Sequence, residues 1–173
     1  MKPFHWLLPV WLLVNGMGCK LSPDNKYAII IRNGMIYDGN GKMPYRADIA
    51  INADTIAFIG DLSDAHAKEV IDAKGMAVAP GFINMLSWAN ESLIQDGRSQ
   101  SDIKQGVTLE VMGEGESMGP LTPAMKKDLE QAQSSVKYKV SWTTLGEYLN
   151  FLQQKGIACN VASFIGATTV RRY

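Results

Sequence analysis

The stretch Ala79-Pro80-Gly81-Phe82-Ile83-Asn84-Met85-Leu86-Ser87-Trp88 is where the local pattern of this sequence changes. On its C-terminal side, Phe82 to Trp88 predicts a strand, the polar stretch Glu91 to Gln105 a helix, and Val107-Thr108-Leu109-Glu110-Val111-Met112 a second strand. Alternation of this kind signals a parallel βα architecture. Thr122-Pro123 opens the next helix, from Ala124 to Ser135, because proline suits a first helical turn. The pair Thr143-Thr144 then caps a helix that runs to Gly156. Its Leu145, Tyr148, Leu149 and Leu152 share one face, the pattern of a helix packed on a core. A third strand is predicted from Ile157 to Ile165, and Cys159 within it reads as a small buried thiol.

On the N-terminal side the pattern is short strands and turns. Tyr27 to Ile31, the Asn33-Gly34 turn and Met35-Ile36-Tyr37 predict a β-hairpin. Ala47-Asp48-Ile49-Ala50-Ile51 and Thr55-Ile56-Ala57-Phe58-Ile59-Gly60 alternate as half-buried strands do. Leu62 to Lys68 reads as a short turn or helix, and Glu69 to Asp72 and Met76 to Pro80 as two more strands. Together they predict a small antiparallel sheet over residues 26–80, too small to be a robust domain alone.

The first eighteen residues differ from both regions. Lys2, the apolar run Trp6 to Val14 and the weakly polar Asn15-Gly16-Met17-Gly18 follow the plan of a secretory signal peptide over residues 1–18, too short to span a bilayer. Cys19 follows, where bacterial lipoprotein signals are cut and acylated, although Gly16 stands where such signals usually carry leucine. The expectation is an exported protein, periplasmic or lipid-anchored through Cys19. Acylation there would leave Cys159 without an intramolecular disulfide partner. The composition of the whole chain is that of a globular protein, with 46% apolar and 20% charged residues among 173. Seventeen basic residues balance seventeen acidic ones without long runs of either sign, which argues against nucleic-acid binding.

The order of small sheet, then Ala79-Pro80-Gly81-Phe82-Ile83-Asn84, then βα units resembles the amidohydrolase superfamily. Three stretches carry the resemblance: Ile31 to Gly39, Val70 to Gly75 running into Ala79 to Ile83, and Gly106-Val107-Thr108 with Gly113 to Leu121. The last, with Gly166-Ala167-Thr168-Thr169-Val170-Arg171, is similar to the N-acyl-D-amino-acid deacylase (D-aminoacylase) branch. The resemblance implies an α/β fold: a small N-terminal β-sandwich part over residues 26–80, then the first units of a TIM-like (β/α)8 barrel over 81–173. A closed barrel takes eight units and about 250 residues, and roughly three units are present here, so the chain reads as a fragment.

The resemblance also implies chemistry. A divalent metal, zinc in the first instance, would serve hydrolysis of a carbon–nitrogen bond in a small acylated amino acid or dipeptide. Family members read Asp-x-His-x-His after Gly-Phe-Ile, whereas Asn84, Leu86 and Trp88 stand at those positions. Leucine and tryptophan have no lone pair suited to zinc. His5 and His66 lie elsewhere in the sequence. The branch's cysteine ligand after the second strand is also missing. Glu114 falls on its position when aligned back from Gly119-Pro120-Leu121, and Gly115 when aligned forward from Gly106. Glu114 is therefore the candidate metal ligand, and the alternative is a solvated loop carboxylate. At the level of function, the alternative to a hydrolase is a barrel scaffold that has lost its metal site.

Overall fold

The computed structural model describes residues 26–173, so the signal segment, Cys19 and His5 lie outside the described residues. The chain divides into two compact units at Ala79/Pro80.

The first unit is one five-stranded sheet. β1 (Lys26–Ile36) pairs antiparallel with β2 (Tyr45–Asn52), which pairs antiparallel with β3 (Thr55–Gly60). The other edge of β1 is shared: β4 (His66–Asp72) runs parallel to its first half and β5 (Ala77–Val78) to its second. The sheet is thus mixed, not antiparallel as its short strands suggested. β3 thus runs in the direction of β1, and residues 61–65 take the chain back so that β4 starts beside Lys26 and runs the same way.

The predicted hairpin at Asn33-Gly34 is absent, because β1 passes straight through those residues with a bulge between Ile31 and Gly34. Asn33 takes the left-handed conformation at φ 62°, one that asparagine tolerates better than most residues. It is pinned there by its amide donating to Asp48 Oδ1 at 2.9 Å and its Nδ2 donating to Asp72 Oδ1 at 2.9 Å. A Cβ on Gly34 would lie 2.6 Å from Val78 Cγ2, so β5 can approach only a glycine. Tyr27, Ile30, Ala50, Leu62 and Ala65 form the small core.

The second unit holds a three-stranded parallel sheet in sequence order, β6 (Phe82–Asn84), β7 (Val107–Met112) and β8 (Asn160–Ser163). Helices connect the strands, as the alternation predicted. The helix expected between β6 and β7 is split into α1 (Ser92–Gln95) and α2 (Gln100–Ile103). The break joins a local contact to a distant one: Asp96 accepts two bonds from the Arg98 guanidinium, each 2.8 Å long, and Gly97 O accepts from Ala158 N at 2.7 Å. β6 and β8 are also shorter than predicted, since the apolar residues flanking them continue as loops.

α3 (Pro123–Ala132) and α4 (Leu145–Lys155) lie between β7 and β8. Thr144 caps α4 in a capping box with Glu147, whose carboxyl is held below its ordinary range by the Thr144 and Thr143 amides. Tyr148 and Leu152 of the expected face are buried, in a core with Trp142, Met112, Leu93 and Cys159. Burial pushes the Cys159 thiol up, in keeping with an inert core cysteine. A last helix, α5 (Ala167–Arg172), was not foreseen. No helix among the described residues is long and apolar enough to cross a membrane.

Candidate functional site

In parallel βα architectures, chemistry collects on the loops after the strands. Here those loops are 85–91 after β6, 113–122 after β7 and 164–166 after β8.

Leu86 and Trp88, 56% and 70% exposed, lie beyond the end of β6. Their segment is fixed from below: Asn84 Oδ1 accepts from Leu86 N at 3.3 Å, Ser87 N donates to Val111 O at 2.9 Å, and Ser87 Oγ accepts from Ala89 N at 3.2 Å. Further along, Tyr148 Oη donates to Asn90 O at 2.7 Å and Tyr138 Oη to Glu91 Oε1 at 2.6 Å. Burial and the Glu91 carboxylate both raise the Tyr138 hydroxyl, so it stays a neutral donor.

The loop after β7 is stitched to the loop after β8. Ser117 N donates to Thr169 Oγ1 at 2.8 Å, Thr169 Oγ1 donates to Ser117 O at 3.2 Å, and Ser117 Oγ accepts from Gly166 N at 3.0 Å while donating to Gly119 O at 2.6 Å. Both hydroxyl residues are buried. Glycines permit the close approach, since a Cβ on Gly113 would fall 2.2 Å from Phe164 O. The result is a fixed loop that presents Glu114 and Glu116 to solvent.

These segments border a cleft of about 490 Å³. Trp88, Met118, Leu121 and Met125 supply apolar walls, and Glu116 and the Asp128–Arg172 ion pair, 3.4 Å apart, supply polar ones. Such a mixture of apolar surface with few polar groups suits a small organic ligand.

The residues singled out in the sequence do not converge. Glu114 is exposed in its loop, and among the described residues no three His, Cys, Asp or Glu side chains group closely enough to hold a metal ion. His66 begins β4 in the first unit. The described residues therefore do not fit a complete metal centre: the β6 end offers a leucine and a tryptophan, and the loop after β7 a single exposed carboxylate.

Glu110 went unremarked in the sequence, although a glutamate inside the apolar strand Val107–Met112 is itself a signal. It is 1% exposed, and its Oε2 accepts from Asn84 Nδ2 at 3.0 Å. Ser117 and Thr169 had no sequence signal, because serine and threonine in loops are ordinary and only the fold brings positions 52 residues apart together.

No family model matches the chain. It is 33% identical over 154 residues to a D-aminoacylase of Alcaligenes xylosoxydans xylosoxydans, an alignment that covers 87% of this chain and 31% of the relative. Among solved structures, a D-aminoacylase studied for its binuclear metal centre superposes with TM-score 0.73 at 31% identity, covering 84% of this chain and 31% of that one. An N-acyl-D-glutamate deacylase of Bordetella bronchiseptica, complexed with zinc and a phosphonate inhibitor, superposes with TM-score 0.71 at 28% identity, with the same coverage of 84% and 31%. The chain thus spans about a third of the length of the relatives it matches. By sequence its homologues are D-aminoacylases and N-acyl-D-amino-acid deacylases, and by fold its neighbours lie in the D-aminoacylase subset of the amidohydrolases.

Proposed function

We propose that this chain is the N-terminal portion of an amidohydrolase that hydrolyses the amide bond of N-acyl-D-amino acids. The observation that carries the reading is the agreement of sequence and backbone with D-aminoacylase over most of this chain. In this reading the described residues supply sheet, strands and one wall of the substrate cleft. Glu114 would contribute one carboxylate to a zinc centre whose other ligands lie outside the described residues.

Amine release from N-acetyl-D-amino acids by the full-length protein tests the activity, and zinc content before and after Glu114→Ala tests the ligand. We expect turnover and stoichiometric zinc in the full-length protein, with zinc lost on Glu114→Ala. The 173-residue chain alone is expected to be inactive, since its described residues hold no complete metal set.

Leu86 and Trp88 favour a second reading, a barrel that binds ligands without catalysis. Metal-free full-length protein that turns over no acylated amino acid would support it.

Export, with acylation at Cys19 anchoring the protein to the bacterial envelope, completes the proposal. It is supported by the tripartite first eighteen residues. Metabolic labelling with palmitate should mark the wild type and not Cys19→Ala; equal labelling of both would exclude this anchor.

A further inference from the structure

A carboxylate inside an apolar strand is costly unless its oxygens find donors. Glu110 meets half of that need: Oε2 has the Asn84 amide at 3.0 Å, while Oε1 is sealed from solvent with no donor. Register explains why. Asn84 is the neighbour of Glu110 on β6, and the neighbour on β8 is Val161, whose side chain has nothing to donate. Asn84 is committed at both ends of its amide, since its Oδ1 accepts from Leu86 N. Turned over, that amide would set its oxygen against the Glu110 carboxylate and its NH2 group against the Leu86 N–H. The Glu110 carboxylate thus selects which way the Asn84 amide points.

From Asn84 the path to the cleft is short. Leu86 N is held by Asn84, Ser87 N by Val111 O, and Trp88 follows on the cleft wall. We infer that Glu110 is a positioning residue: by orienting the Asn84 amide it sets the turn through Leu86 that carries Trp88 to the cleft. The pair is interdependent and takes at most one carboxylate, on either strand but not on both. An aspartate at position 84 would bring a second carboxylate within hydrogen-bond distance of the first, and two carboxyl groups that close, one of them buried, do not readily both ionise. The inference concerns the geometry of this strand end and stands whether or not the protein is a hydrolase.

The test uses the full chain with 15N-labelled tryptophan, the Trp88 indole resonance being identified by its loss in Trp88→Phe. Asn84→Asp is expected to move that resonance and to lower the melting temperature by roughly 5 °C. Glu110→Gln, which keeps an acceptor for the Asn84 amide, should leave both near wild type. The double variant Asn84→Asp/Glu110→Gln transfers the carboxylate to β6 and should recover both, which a purely additive packing effect would not. An unmoved Trp88 resonance in Asn84→Asp, or a double variant no better than Asn84→Asp alone, overturns the inference. Should Asn84→Asp fail to fold, recovery of folded protein by the double variant supports it, and failure to recover overturns it.

Discussion

Trp142→Ala is expected to destabilise the second unit by about 3–5 kcal/mol, the range for truncating a fully buried aromatic residue. Trp142 is 2% exposed, and its ring lies 5.0 Å from Phe151, 5.2 Å from Tyr148 and 6.2 Å from Tyr138, centroid to centroid. Each such aromatic pair is worth about 0.5–1.5 kcal/mol beyond buried area. Its indole N–H also donates to Met118 O at 2.7 Å, so truncation orphans a carbonyl as well as opening a cavity.

Trp142→Phe separates the two effects. It keeps much of the packing and removes the N–H, and should cost about 1–3 kcal/mol, the price of one unsatisfied buried group. Packing is therefore the larger contribution. Urea unfolding followed by circular dichroism measures both variants, and an alanine variant within 1 kcal/mol of wild type, a margin well under the expected range, would refute this account. The consequence reaches the cleft, because Met118 is one of its walls.

The parts of this fold legible in the sequence are those set by local chemistry. β7, the Thr144 cap and the alternation of strand with helix follow from periodicity and capping, and the structure has them. What failed depended on distant partners. Asn33-Gly34 carries a hairpin signal, but Asp48 captures the Asn33 backbone amide and Asp72 its side chain, so the strand continues. The split between α1 and α2 depends on Ala158 reaching Gly97, far along the chain. At the site, the glycine-rich loop could be read because glycine marks where a backbone turns left-handed or is closely approached. The Ser117–Thr169 pairing and the Asn84–Glu110 pair could not, since register and loop contact create them.

Gly166→Ala is the second large effect. A Cβ at position 166 would lie 2.6 Å from Gly115 O, 2.7 Å from Glu116 Cα and 2.7 Å from Ser117 N, all backbone atoms that cannot swing aside as a side chain can. Gly156 provides the control: it sits at φ 79° with nothing within 4 Å of its would-be Cβ, so alanine there meets only the left-handed strain of about 1–2 kcal/mol. At Gly166 the loop itself must move. Overpacking of this kind costs about 1–3 kcal/mol, and here it also pulls Gly166 N away from Ser117 Oγ, adding a further loss of about 1 kcal/mol. Hydrogen exchange distinguishes the two variants. Gly166→Ala should speed exchange of the Ser117 and Thr168 amides, which bond to Thr169 Oγ1 and Gly115 O. Gly156→Ala should leave those amides protected. If both variants exchange alike at Ser117, the loop that presents Glu114 and Glu116 is held by something other than its contact with the turn after β8.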